Sequence, residues 1–204
     1  MRWFRNHWFD VGGILALIIV LFVWCLAPAL SAFQMLLWLH LAALLLHQVE
    51  EYRYPGTFPG MLNVLLFHSK EPRLYPLQAN TAMCINTFAW LLYLLTALCH
   101  QHAVWLGMIT IFISAGNVLA HSFLFNLKGK TWYNAGMLSS WLCFVPCIYW
   151  FFIIIYRAHL VNALDYWVAV PLGLLANASI IVAIKWLARK NNPYPFPERN
   201  MLPA

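Results

Sequence analysis

Residues 33–52 read FQMLLWLHLAALLLHQVEEY. From Phe33 to Leu46 only Gln34 and His40 interrupt an apolar run, which then turns to His47-Gln48-Val49-Glu50-Glu51. Crossing the hydrocarbon core of a bilayer takes ~20 apolar residues in a helix, and Phe33–Tyr52 supplies that length. The prolines and glycines of Tyr54-Pro55-Gly56-Thr57-Phe58-Pro59-Gly60 end it. The stretch is therefore read as a membrane-crossing helix that carries two histidines and two adjacent carboxylates. Ionisable groups at membrane depth are costly, and their default reading is a functional site.

The rest of the chain agrees with a membrane protein. Of its 204 residues 63% are hydrophobic and 9% charged, with a mean hydropathy of +0.71; a soluble domain carries about 25% charged residues. Eleven Trp, nine Tyr and fourteen Phe suit a chain whose aromatic rings collect at the membrane interfaces. The net charge of +6 does not indicate a nucleic-acid partner, because the basic residues form no cluster on a soluble element. Cys25, Cys84, Cys99, Cys143 and Cys147 lie in or near apolar runs without a CxxC pattern. Cys143 and Cys147 are one helical turn apart, but no His or acid accompanies them, so they read as small core hydrophobes.

Along the chain, Met1–Asp10 forms a short basic start with Trp3, Phe4 and Trp8 as interface anchors. Val11–Leu30 is the first crossing, ended by Pro28. Ala29-Leu30-Ser31 resembles a signal cleavage site, but the apolar run is longer than a signal h-region. The second crossing is Phe33–Tyr52. Met61–Phe67 is too short to span and reads as interfacial or re-entrant. Further crossings are expected over Leu77–Cys99, Ala103–Leu127, Asn134–Tyr156 with a kink at Pro146, and Tyr166–Leu187, with His100-Gln101-His102 as a tight turn. The fold class is thus all-α: a polytopic membrane bundle of six transmembrane helices in one domain, residues 1–190. A Pro-rich cytoplasmic tail, 191–204, favours polyproline II. Six crossings put both termini on one side. Of the twelve Lys and Arg residues only Arg157 falls on the other, so the positive-inside rule places both termini in the cytoplasm.

With that topology, separate helices deliver polar groups to one layer. His47, Glu50 and Glu51 lie near the cytoplasmic end of the second crossing, and His121 lies near the same end of the fourth. Asn80 and Asn134 open the third and fifth crossings on that side. At ~100° per residue, His40, His47, Glu50 and Glu51 share one face of their helix, and Ser114, Asn117 and His121 share one face of theirs. Polar stripes on membrane helices face the bundle interior, so the two are expected to face each other. His at i with Glu at i+3 or i+4 makes neighbours on a helix. A divalent metal is the expected cofactor, held by His47, Glu51 and His121; imidazole plus carboxylate suits Zn, or Fe as second choice. Glu50 is assigned a catalytic place, as general base or as the partner orienting a ligand His. His40 lies ~10 Å from His47 along the axis, too far to share the ion, and reads as part of a proton path or a contact to substrate. Asn117 is also assigned to the catalytic layer, although Asn117, Asn80, Asn134 and Ser114 equally suit interhelical hydrogen bonds. The competing reading puts Glu50 and Glu51 at headgroup level, paired with Arg53, Arg73 or Lys128 for ~0–1 kcal/mol.

His47-Gln48-Val49-Glu50-Glu51, the following Tyr52…Pro55-Gly56…Phe58-Pro59-Gly60 and the upstream His40 resemble the HXXEE-domain family of bacterial integral membrane proteins. The resemblance extends loosely through Asn117…His121. It implies a multi-pass protein of the inner (plasma) membrane, with His47, Glu50 and Glu51 as site residues, and supplies no substrate. The residues support a metal-dependent membrane enzyme, a hydrolase before an oxygenase because the clustered HxxxH and HxxHH patterns of membrane di-iron enzymes are missing. Its substrate would be a lipid or another membrane-soluble molecule. The alternative is a proton-coupled transporter or carrier using the intramembrane His/Glu chain. A partner-binding subunit, with the motif serving helix packing, is the third reading.

Overall fold

The computed structural model describes residues 2–99, 103–189 and 193–202. The turn expected at His100-Gln101-His102, and Lys190, lie outside them. The described residues form seven helices and no strand. Helix α1 is Arg2–Leu26, α2 Ala32–Tyr52, and α3 the short Phe58–Met61 running into a π turn at Leu62–Leu66. Then come α4, Ala79–Leu98; α5, Val104–Gly129; α6, Met137–Arg157; and α7, Ala163–Leu187. All except α3 are long and apolar enough to cross a membrane, making this a multi-pass membrane protein. As expected, α3 is not a crossing.

Helix α2 is the axis of the bundle. Sixty-one per cent of its apolar window is buried, against 17% for α1 and for α7. It packs against α1, α4 and α6, while α5 holds α7 on the other side. The α2 start is set by a capping box, with Ser31 Oγ accepting from the Gln34 amide and Gln34 Oε1 accepting from the Ser31 N–H. Gly116 and Gly173 bring α5 and α7 together: a Cβ on Gly173 would lie 2.7 Å from Phe112 Cβ, and Asn177 Nδ2 donates to the Phe112 carbonyl across the helices. Small residues with a polar bond are the usual device of membrane helix contact.

Several boundaries differ from the sequence expectation for identifiable reasons. Helix α1 starts at Arg2 rather than Val11, because Trp8 and Phe9 are buried and pack on Tyr52 as part of the helix. Helix α7 starts at Ala163 rather than Tyr166, because Asn162 and Asp165 form a second capping box. Helix α6 starts at Met137 rather than Asn134, because Gly136 takes φ +106°, outside the helical range. Just before Pro146, where the sequence suggests a kink, lies a π turn, Ser140–Phe144, closed by the Val145 N–H on the Ser140 carbonyl.

The Pro-rich tail docks on the end of α2 that carries the acidic pair. Residues 194–197 are extended and Glu198–Asn200 forms a 3-10 turn. Phe196 is buried, Asn200 Nδ2 donates to the Tyr52 and Gly56 carbonyls, the Phe196 N–H donates to the Arg73 carbonyl, and Arg73 Nε donates to the Phe196 carbonyl. Gly60 lets the tail in, since a Cβ there would lie 2.6 Å from Met201 Cα.

The expectation from the sequence that both termini face the cytoplasm is open to a direct test. A fluorescent protein fused to the C-terminus is expected to fluoresce in a bacterial host, and alkaline phosphatase inserted at Arg157 to be active. The opposite pair of results would invert the topology.

Candidate metal centre

The last turns of α2 meet α5 and the start of α6 in a buried polar cluster. His47 is 2% exposed, Glu51 4% and His121 0%. Glu51 Oε1 lies 3.4 Å from His47 Nε2 and 3.3 Å from His121 Nε2. One ligand-capable atom from each residue lies within 4.8 Å of the others. Neither Nε2 atom has a hydrogen-bond partner of acceptable geometry. The two imidazole rings are nearly perpendicular, with centroids 5.1 Å apart. Phe144, Phe58 and Phe125 pack against them.

The surrounding bonds determine which nitrogen of each ring carries the proton. Glu50 accepts four hydrogen bonds: from Tyr133 Oη at 2.8 Å, the Leu138 N–H at 3.1 Å, the Ser139 N–H at 2.7 Å and Ser139 Oγ. A carboxylate can only accept, so the Ser139 hydroxyl donates its one proton to Glu50. Ser139 Oγ must then accept from His47 Nδ1, 3.0 Å away, which leaves the Nε2 lone pair facing Glu51. The same logic holds at His121. Asn134 Nδ2 donates to the His121 carbonyl and to Asn126 Oδ1, so Asn134 Oδ1 is the acceptor for His121 Nδ1 at 2.6 Å. Again Nε2 is left with its lone pair inward. With both rings neutral, two lone pairs and a carboxylate oxygen converge in a buried pocket and repel one another unless a cation lies among them; a metal ion, or a proton on one imidazole, meets that need. His ligands of metals have their other ring nitrogen held in this way.

Glu50 also does structural work. Gly136 occupies the N-cap position of α6 and has no side chain to offer. Glu50 bonds the next free amides, Leu138 and Ser139, and so caps α6 from α2. Gly136 cannot carry a Cβ, which would lie 2.3–2.8 Å from the His121 ring atoms. Partial burial and the bond to Glu50 push the Tyr133 phenol above its usual range, so it remains a donor.

The headgroup-level reading of the acidic pair does not describe the structure. Arg53 pairs with Asp10 at 3.1 Å and Arg73 with Glu198 at 3.3 Å, while Glu50 and Glu51 face inward. Of the residues singled out in the sequence, His47, Glu51 and His121 come together, with Glu50 directly behind His47. His40 does not join them. Its Nε2 lies 2.8 Å from Ser114 Oγ, which also meets Tyr93 Oη at 2.9 Å, and the Phe144 ring packs against both His40 and His47. Asn117 is half-buried and donates to the Ile113 carbonyl. Asn80 is also half-buried and outside the cluster. The sequence reading passed over Ser139, Tyr133 and Gly136. The signal for them was an interruption of the fifth apolar run by polar groups and a glycine just after a turn.

A cavity of about 570 Å³ reaches the centre from the side of the bundle. His47, Gln48, Glu51 and Tyr52 line one wall, Asn86 and Leu92 of α4 another, and Asn117 and Asn177 the third. The cavity runs out to Cys84, Phe88 and Ser179, exposed on the outer surfaces of α4 and α7. Those surfaces belong to two helices that are long and apolar enough to cross a membrane.

Glu50→Gln replaces two acceptor positions with an NH₂ facing donors. It is expected to lower stability by ~1–3 kcal/mol, read as a lower melting temperature in detergent. Gly136→Ala should destabilise by at least a similar amount, through both φ and the His121 contact. Unchanged melting of both variants would contradict the capping role.

No curated protein and no solved structure matches the chain. A family model described as proteins of unknown function with an HXXEE motif matches residues 38–151, a span that holds every residue of the cluster. The chain belongs to this HXXEE-motif family.

Proposed function

We propose that the protein is a metal-dependent membrane hydrolase acting on a lipid or another membrane-soluble molecule. The observation that carries this reading is the pair of buried, tautomer-directed Nε2 lone pairs on His47 and His121 converging with Glu51 Oε1 at the inner end of an apolar cavity. His47, His121 and Glu51 would hold the metal. Two imidazoles and a carboxylate suit Zn as first choice, with Fe as the second. When bound, a metal in such a site supplies a Lewis acid and lowers the pKa of water.

The chain's own residues supply the remainder. Glu50, with its acceptor sites filled, acts as a positioning residue: it holds Ser139, and Ser139 holds His47 in the ligand tautomer. Among the described residues lining the cavity Glu51 is the acid, so with Glu51 as a ligand no second carboxylate lines the cavity. Asn117 offers an amide to the polar part of a substrate. His40 ties α2 to α5 through Ser114, one layer away. That separation weighs against a continuous proton chain and thus against the carrier reading. The charge distribution supports a centre near the cytoplasmic side of the membrane, and the resemblance to bacterial integral membrane proteins supports an inner membrane.

Elemental analysis of protein purified without added chelator is expected to find about one Zn or Fe per chain. His47→Ala, Glu51→Gln and His121→Ala should each abolish it. Ser139→Ala should weaken affinity by roughly 10–100-fold while the fold is retained. Full stoichiometric metal in all three ligand variants would overturn the assignment.

A further inference from the structure

A directional chain of side-chain hydrogen bonds runs along the cavity wall and ends on a hydroxyl whose proton has no acceptor. It starts at Trp90, whose Nε1–H can only donate and does so to Gln48 Oε1. This orients the Gln48 amide, and Gln48 Nε2 donates to Asn86 Oδ1 at 2.9 Å. Asn86 is oriented a second time from within α4, since its Nδ2 donates to the Ala82 carbonyl at 2.8 Å. The same Nδ2 donates to Tyr52 Oη at 3.3 Å. Every amide orientation is determined, so Tyr52 Oη accepts, and its own O–H proton must point elsewhere. Among the described residues none accepts it.

Tyr52 is 3% exposed, and its ring is held between Trp8 and Phe58. A buried hydroxyl donor without an acceptor costs ~1–3 kcal/mol, so an acceptor has to come from the cavity. Tyr52 lines that cavity next to Glu51 in the sequence, and Gln48 and Asn86 line it too. Apart from these groups and His47, Asn117, Asn177 and Ser179, the lining is largely apolar, with Leu44, Leu62, Leu92, Ile113 and Ile180. Its volume falls in the range of small-molecule sites, ~300–1,000 Å³.

We infer that Tyr52 is a substrate-binding residue that donates a hydrogen bond to the carbonyl oxygen of an acyl compound whose alkyl chain lies in the cavity between α4 and α7. The inference deepens the hydrolase reading and rests on it for the fate of the acyl group, but the hydrogen bond itself is independent of metal. Trp90, Gln48 and Asn86 are positioning residues, and Gln48 and Tyr52 explain two positions in and just after the motif that the metal centre leaves without a role. A carbonyl so placed has a donor on the wall of the cavity that His47 and Glu51 also line.

The test uses 3-dodecanone labelled with ¹³C at the carbonyl, a ketone analogue of the ester that cannot be hydrolysed, bound to the full chain in detergent and read by isotope-edited infrared difference spectroscopy. Protein stripped of metal with a chelator and protein reloaded with Zn are compared. A carbonyl band shifted to lower frequency is expected in wild type in both states. It should be lost in Tyr52→Phe, which keeps the ring packing. It should also be lost in Asn86→Asp, where a new acceptor captures the Tyr52 proton while the hydroxyl stays in place. A band that persists in both variants, or that is missing from wild type in both metal states, overturns the proposal. A band found only with Zn and unchanged in Tyr52→Phe overturns it while supporting the metal reading. Loss of the band in both variants of a protein that takes up no metal upholds the Tyr52 contact and removes the metal reading.

Discussion

The carboxylate of Glu50, set against the first amides of α6, is the contact on which the centre depends. It caps a helix whose own N-cap residue is a glycine, and it does so from the last turn of the most buried helix in the bundle. Through Ser139 it also decides the tautomer of His47. One interaction thereby joins α2 to α6, satisfies backbone donors that a membrane interior would leave bare, and aims a lone pair. The adjacent carboxylate, Glu51, turns to a different environment one residue later. Successive helix positions are ~100° apart, so two identical side chains serve a helix terminus and an imidazole pair.

Polar groups in the bundle fall into separate layers with different characters. In the layer of His40, Ser114 and Tyr93 hydrogen bonds link all three side chains, and Tyr93 also donates to the Thr110 carbonyl. That arrangement suits a device that sets helix register, as interhelical polar bonds do in membranes. In the layer of His47, Glu51 and His121 the outer ring nitrogens are satisfied while the inner ones are not. The contrast between a closed network and one left open at its centre separates a structural histidine from a candidate ligand. Phe144 packs between the two layers.

Two π turns lie beside the centre, one containing His121 and one directly after Ser139. Each inserts a residue into a helical turn, so the side chains beyond it no longer follow the stripe read from an ideal period. Ser114 and Asn117 precede the first of these turns and keep the ideal period; Ser114 and His121 are fully buried, and Asn117 is half-buried and lines the cavity. Gly136 makes a related local departure, giving up helical φ so that the His121 ring can lie against the backbone.

Length and hydropathy alone determined that the chain is an all-helical membrane bundle with six crossings, because a lipid environment leaves few alternatives to a run of about 20 apolar residues. The cost of burying ionisable groups marked His47, Glu51 and His121 from sequence, and helical spacing paired the first two. The partners across helices were another matter. Ser139 and Tyr133 lie 92 and 83 positions from His47 and Glu50 respectively, and no periodicity connects residues at such separations. The same holds for the Gln48–Asn86 contact that orients Tyr52, and for the tail residue Asn200 closing over the end of α2. Local sequence specifies where a helix begins and which face is polar. Only the packing of helices against one another decides which donor meets which acceptor, and therefore which lone pairs remain free.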